Sequence, residues 1–301
     1  MLLHKTPQGY KNMAVSHYPD MTQFLTSIRP AQPLGRAMVQ VHFRAFGNHE
    51  KAKTIDIPLQ PVTEKLTPFN VNMHGSPTTA FEMPEKYSAW FSECFGYHVV
   101  LVYLGDNKRK VLWKDMVPSR TTSWLSRTPL LGRAMLQTPE ITFADCAPYL
   151  VVSSTSLQDV SSRLGPNELM DVTKFRPNIV ISGAHQAWEE DYWGRIRVGN
   201  LVLGMKHNCV RCASLNIDYD TGKPGTGESG QVLKKLQKDR RIDKGAKWSP
   251  VFGRYAFWTR KSHEQVINVG DEVIVTDFNN ERTVFGKYIR QVCFFKPHLL
   301  S

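Results

Sequence analysis

His207-Asn208-Cys209-Val210-Arg211-Cys212 is the stretch from which the rest of this chain can be read. It follows Phe175-Arg176-Pro177-Asn178-Ile179-Val180-Ile181-Ser182-Gly183 and precedes Asp218-Tyr219-Asp220-Thr221-Gly222. Two thiols stand beside one arginine, and a second arginine sits near the start of the upstream apolar segment. A thiolate is a soft ligand for a thiophilic metal, and arginine forks suit anions. The pattern therefore suits a bound anion that carries such a metal. On local evidence alone, two ordinary half-buried cysteines remain the plainer reading. Structural zinc would need further ligands at similar spacing, but Cys94, Cys146 and Cys293 are isolated and His207 is a poor complement. A thioredoxin-like pair would open a helix in a βαβ unit, whereas Ala213-Ser214-Leu215-Asn216-Ile217 reads as a strand.

The chain has 301 residues, 41% hydrophobic and 22% charged, a globular composition with room for one large core or two smaller ones. Its longest apolar run, Val99 to Leu104, is far short of the roughly 20 residues that span a bilayer. Met1-Leu2-Leu3-His4-Lys5-Thr6-Pro7 has no apolar signal-peptide core, so the cytoplasm is the default expectation. The net charge of +11 favours an anionic partner, whether nucleic acid, an acidic protein or a phosphorylated cofactor, and solubility explains it equally well. Five cysteines without framework spacing point to a reduced intracellular protein.

Alternating stretches predict strands at Met38–Phe43, Thr54–Ile57 and Phe69–Met73. A helix follows Pro84, with Tyr87, Trp90, Phe91, Cys94 and Phe95 as its apolar stripe and Gly96 as its stop. His98 to Leu104 reads as a buried strand. Residues 105–138 are basic and irregular, with Lys108-Arg109-Lys110, Arg120, Arg127 and Arg133, and read as a linker or surface insertion. A second unit begins near Ile141. Tyr149 to Ser153 reads as a strand, and Thr155 to Leu164 as a helix with a capping box from Thr155 and Gln158. Strands are then expected at Phe175–Ile181, Arg195–Val198, Leu201–Met205, Ala213–Ile217, Tyr255–Trp258 and Glu272–Val275, with a basic helix over Val232–Arg241. Many short strands with few helices predict a mainly β protein with some α and a barrel core.

Other motifs have plainer explanations. Gly225-Thr226-Gly227-Glu228-Ser229-Gly230 matches a dinucleotide fingerprint, but the turn Asp220-Thr221-Gly222-Lys223-Pro224 separates it from the preceding strand, so a loop is expected. Arg176 at the start of one apolar strand and Asp145 opening another must each pair with an opposite charge or reach water, and together they could line a polar pocket. The basic stretches at 108–114 and 234–247, with Trp113 and Trp248 beside them, make nucleic acid conceivable. No binding signature accompanies them, so a solvated basic face is expected.

The ordered segments resemble the MOSC domain, the C-terminal domain of molybdenum cofactor sulfurase, and within it the mitochondrial amidoxime-reducing component and its bacterial relatives. The likeness runs from about Ile141 to Thr276. It includes Ala144-Asp145 with Pro148 to Ser153, Phe175 to Gly183, Trp193 to Gly199, Cys209 to Cys212, Asp218 to Gly222, Phe252 to Tyr255 and Val269 to Val273. Residues 1–104 resemble the N-terminal β-barrel domain of the same family. The resemblance implies an organisation of that domain at 1–104, a basic linker at 105–138, the MOSC domain at 139–278 and a tail at 279–301. It also implies a molybdopterin-type molybdenum cofactor, with Cys212 as the metal ligand. Asp145 would lie at the cofactor pocket, beside the reacting group, and Arg176, Arg211 and Lys174 would meet cofactor oxygens or phosphate.

The implied reaction is two-electron reduction of a small N-hydroxylated compound. Electrons would come from a cytochrome b5-type protein and its NADH-dependent reductase, in a cytoplasmic or mitochondrial setting with no membrane segment and no nucleic acid. Pyridoxal phosphate is a further implication for some family members, although no lysine here demands it. Several positions depart from the family pattern. The N-terminal Lys-Ser pair that follows a Tyr-Pro is absent, so the chain reads as starting after it, and Ser16 stands for a later arginine. Cys146 and Ala147 replace hydroxyl residues, and Lys174 replaces an asparagine. The alternative expectation is a non-catalytic cofactor carrier or a shortened inactive relative, and after it a basic nucleic-acid-binding protein.

Overall fold

The computed structural model describes residues 1–31, 35–111, 140–166, 168–259 and 266–285. Trp113, Arg120, Arg127, Arg133 and Cys293 lie outside the described residues, as does most of the basic stretch 105–138. The first part contains β1 (Leu2–Thr6), β2 (Gly9–Asn12), β3 (Phe24–Arg29), β4 (Met38–Phe43), β5 (Lys53–Pro58), β6 (Thr67–Met73), β7 (Ser76–Glu82), helix α1 (Glu85–Phe95) and β8 (Val99–Tyr103). One sheet has the order β2-β1-β8-β7-β6, and a smaller one the order β3-β4-β5. Helix α1 lies where the sequence expects it. Pro84 caps its start and Gly96 ends it in the left-handed region at φ 77°, which a glycine adopts without Cβ strain. Its buried stripe, Tyr87 and Phe91, packs with Val41, Ile57 and Val99, and Phe24 stacks 4.5 Å from Phe95.

The second part contains β9 (Arg109–Lys110), β10 (Glu140–Ile141), β11 (Tyr149–Ser153), helix α2 (Ser154–Ser162), β12 (Ile179–Ile181), β13 (Trp193–Val198) and β14 (Leu201–Val210). It continues with β15 (Ile217–Asp218), β16 (Lys223–Pro224), helix α3 (Val232–Gln237), β17 (Val251–Trp258) and β18 (Val273–Phe278). Its main sheet has the order β12-β11-β17-β14-β13-β18. β11 pairs with β12 in parallel, and its other neighbours run antiparallel. Both faces of this sheet are covered. On β11, Leu150 and Val152 join the core with Phe175, Leu236 and Phe252, while Val151 joins Trp193, Ile196 and Leu203 on the other face. That two-sided burial is why Tyr149 to Ser153 reads as an unbroken apolar run rather than an alternating one. The architecture is mostly β with few helices and two curled half-barrel sheets, as the sequence predicts.

Several boundaries differ from expectation for local reasons. The α2 cap is Ser153, whose hydroxyl accepts from the Thr155 backbone N–H, while the Thr155 hydroxyl donates to the Ala184 carbonyl. The segment before Ile179 is not strand. Val172–Phe175 is a 3-10 turn, and Arg176 closes it at φ 54°. Ala213–Asn216 is likewise a 3-10 turn, and helix α3 stops at Gln237. Strand β14 runs on to Val210 through two bulges opposite β17. The glycine loop is a packing device: a Cβ on Gly230 would sit 2.1 Å from the Gly225 carbonyl oxygen.

Gly253, in the middle of β17, has φ 84°, and a Cβ there would lie 2.8 Å from Val152 Cγ1 and 2.9 Å from the Val151 oxygen. Gly253→Ala is therefore expected to destabilise the fold by about 2–4 kcal/mol, from a disfavoured backbone region together with overpacking. Urea unfolding checks this, and an unchanged midpoint contradicts it. Among the described residues, no helix is long and apolar enough to cross a membrane.

Candidate functional site

A cavity of about 1410 Å³ opens between the two parts of the chain. Its walls come from the loop after β2 (Ala14–His17), the β6–β7 turn (His74), the loop before β11, the end of β14, and the loop after α3. Cys212 lies on this wall. It is exposed, carries no disulfide, and stands at the start of the Ala213–Asn216 turn with its Sγ 3.3 Å from the Ser214 hydroxyl. Cys209 is 2% exposed and packs in the core cluster, although it also borders the cavity. The bulged end of β14 thus separates the two sulfurs of the C-x-x-C, one available and one buried.

Arg176 and Asp145 meet across the cavity wall, with Arg176 Nη2 donating to Asp145 Oδ2 at 2.8 Å. His74 Nε2 approaches the other carboxylate oxygen at 3.7 Å. Asp145 is in the loop before β11 rather than at its first residue, and its pairing with an arginine is the one the sequence suggests. The His74 ring, and after it Arg176, hold the Asp145 carboxyl below its ordinary range against the opposing effect of burial. Burial is the largest single effect and works against the charge of Arg176, but Asp145 together with Tyr255, Tyr219 and Cys209 outweighs it, and the guanidinium is held more firmly protonated.

A depressed carboxylate contributes stability that is present above its unfolded value of about 3.9 and is lost as pH falls through the lower folded value. The stability difference between wild type and Asp145→Asn is therefore expected to be full near about pH 5 and to shrink steadily toward about pH 2. Urea unfolding along a pH series measures it. A difference that stays constant over that window rules the effect out.

Arg211 is 7% exposed and both its terminal nitrogens are engaged within the protein, one by Cys209 Sγ at 2.8 Å and the other by the Phe175 carbonyl at 2.7 Å. Lys174 is not part of the cavity lining; its Nζ lies 5.8 Å from the centre of the Tyr219 ring. The structure therefore brings Cys212, Asp145, Arg176 and Arg211 together and leaves Lys174 aside. It also adds residues that the sequence does not single out. Lys244, His17 and His74 line the cavity, so among the described residues the Arg, Lys and His side chains on its wall outnumber the carboxylates, of which Asp145 is one. Tyr255 lines it too, and burial pushes its hydroxyl well above the ordinary value, with Cys209 adding to the effect, so it stays neutral at physiological pH.

Two buried arginines support the cavity walls from behind. Arg109 is 1% exposed, which corrects its expected place in a solvated basic face. It donates through Nε to the Thr142 carbonyl at 2.9 Å, and through Nη2 to the carbonyls of Ala144 and Asp145. The loop that carries Asp145 is thus wrapped around a guanidinium. Arg254 is fully buried and donates to Asn208 Oδ1 at 2.6 Å; Asn208 Nδ2 in turn donates to Asp243 Oδ2 at 2.6 Å. The other Asp243 oxygen accepts from the backbone N–H groups of Gly245 and Phe285, each at 2.8 Å, which fixes the wall that bears Lys244.

An exposed thiol on a predominantly basic wall fits a group that presents a thiophilic metal and anionic oxygens. Among the described residues, no cluster of three or more His, Cys, Asp or Glu stands close enough to hold a metal ion.

Comparison with known proteins agrees with this chemistry. Residues 138–274 match the MOSC domain. Mitochondrial amidoxime reducing component 2 of Rattus norvegicus is 33% identical over 148 residues, which is 49% of this chain and 42% of the relative. Mitochondrial amidoxime-reducing component 1 of Homo sapiens is 36% identical over 135 residues, or 44% of this chain and 38% of the relative. A molybdenum cofactor sulfurase of Oryza sativa subsp. japonica is 25% identical over 211 residues, 68% of this chain and 23% of the relative. The chain spans about two fifths of the length of the first two of these relatives. The exposed thiol and most of the cavity's lining lie within residues 138–274, the segment that is similar to the MOSC domain.

Proposed function

We propose that this chain holds a molybdenum cofactor through the Cys212 thiolate and reduces small N-hydroxylated compounds with electrons from a separate donor. The observation that carries the reading is the exposed Cys212 sulfur on the wall of a basic cavity of about 1410 Å³. The names of the relatives support it: two are amidoxime-reducing components and one is a molybdenum cofactor sulfurase. Cys212 would meet the metal, and Arg176 and Lys244 would meet anionic oxygens of the cofactor. Asp145 would hold the Arg176 fork in one orientation, and His74 would border the space left for the substrate.

When bound, the cofactor supplies the two-electron chemistry, and the protein supplies binding and orientation. The overall change adds two electrons and two protons to an N–OH group, releasing water and leaving N–H. A cytochrome b5-type protein with an NADH-dependent reductase would supply the electrons, and a mitochondrial setting is part of the same proposal. The test is to produce the protein in a host that makes the cofactor, measure molybdenum per mole, and assay reduction of an N-hydroxylated amidine with a reduced dye as donor. Near-stoichiometric metal with turnover supports the reading. Metal without turnover makes the chain a carrier, and folded protein without metal overturns the proposal.

A further inference from the structure

Arg211 joins two segments that each deliver a cavity residue. Its guanidinium spans from Cys209 Sγ, 2.8 Å away, to the Phe175 carbonyl at 2.7 Å, and its own backbone N–H donates to the Pro250 carbonyl at 2.8 Å. Phe175 is fully buried and stacks on Phe252 with centroids 4.0 Å apart, so the receiving end of the bridge is fixed in the core. The residue after Phe175 is Arg176, forced into the left-handed region at φ 54°, and the residue after Arg211 is Cys212, in extended geometry at φ −124°. The cation that faces the cavity therefore follows directly on the Phe175 end of the bridge, and the thiol follows directly on Arg211, the residue that spans it.

We propose that Arg211 is a positioning residue with Cys209 as its anchor, and that the Cys209–Arg211–Phe175 bridge sets the placement of the Cys212 thiol relative to Arg176. The proposal deepens the functional reading above and rests on its assignment of Cys212 and Arg176. It gives the buried cysteine of the C-x-x-C a task distinct from metal ligation. It commits two of the five N–H donors of Arg211 inside the protein, although the residue also borders the cavity. Lysine keeps the charge but lacks the planar fork that reaches both acceptors, and serine at 209 still accepts a hydrogen bond where valine cannot.

The test is a double-mutant cycle on the protein as produced, with iodoacetamide as the probe and the Cys212 alkylation rate followed by peptide mass spectrometry. Cys209→Val and Arg211→Lys are each expected to shift that rate in the same direction by about two- to tenfold. The double variant should shift it no further, because residues acting through one interaction are not additive. Cys209→Ser should stay near wild type. Multiplicative effects, or a Cys209→Val protein indistinguishable from Cys209→Ser, overturn the bridge. Molybdenum content is the second readout: loss in Arg211→Lys with full retention in Cys209→Val would assign Arg211 to direct contact instead. If Arg211→Lys does not fold, the comparison of Cys209→Val with Cys209→Ser decides alone. The alkylation arm needs no metal, so it is independent of whether wild type binds molybdenum.

Discussion

Cys212→Ser is expected to leave a folded protein that retains almost no molybdenum, while Cys209→Ser keeps it. Cys212 is exposed and its recorded neighbour is the Ser214 hydroxyl, so its replacement disturbs no core contact and should change stability by less than about 0.5 kcal/mol. A serine hydroxyl is harder than a thiolate and stays protonated at neutral pH, so it cannot stand in as a soft anionic ligand. Losing a residue that merely orients a ligand already costs about 10–100-fold in metal affinity, and losing the ligand itself should cost more. Cys209 is buried at 2% exposure with Arg211 on its sulfur, a contact that a serine oxygen can still make. Metal analysis of the two purified variants separates them. Retention in Cys212→Ser would remove the thiolate from the site.

Arg240→Leu is expected to be among the most destabilising single changes in the chain, by about 3–5 kcal/mol. Arg240 meets Asp191 through both terminal nitrogens at 3.0 and 2.8 Å, and the two residues are 3% and 1% exposed. The same guanidinium lies 3.8 Å from the centre of the Trp188 ring. Without it, the Asp191 carboxylate is left in the interior with Arg282, whose Nε is 3.0 Å away but whose side chain is 38% exposed. A buried charge that loses its main partner costs more than the pair contributes, because desolvation is no longer offset. Arg282 softens the loss without replacing a two-pronged contact. Chemical unfolding measures it, and a cost below about 1 kcal/mol would show that Arg282 alone suffices.

What the sequence made legible were features written in local spacing. The buried strand Tyr149–Ser153 and helix α1 with its Gly96 stop both follow from residues a few positions apart. Asp145 and Arg176 could be linked only by the charge rule that each needs a partner, and the structure joins them over 31 positions of sequence. Arg109 was hidden because a Lys-Arg-Lys run has the look of a solvated face. Its burial depends on the carbonyls of 142–145 folding around it, which no window of sequence contains. His74 was missed for a related reason. His74 and Gly75 both take positive φ, at 55° and 84°, which makes them a tight hairpin turn, and that turn reaches Asp145 only once the two parts of the chain pack. The helical cap moved from Thr155 to Ser153 because the strand hands the chain directly to the helix, and the last strand residue is the one with extended geometry.

The cavity is written in two places in the sequence. Its sulfur lies inside residues 138–274, while Ala14–His17 and His74 lie well before them. Loops that join strands at the surface tolerate insertion and exchange far better than the bulged centre of a sheet. A lineage with this arrangement can redraw the entrance by editing the loop after β2 or the β6–β7 turn, and leave the thiol and its supports untouched. Diversity in what is admitted and constancy in what is held would then fall in different stretches of one chain, free to change at different rates.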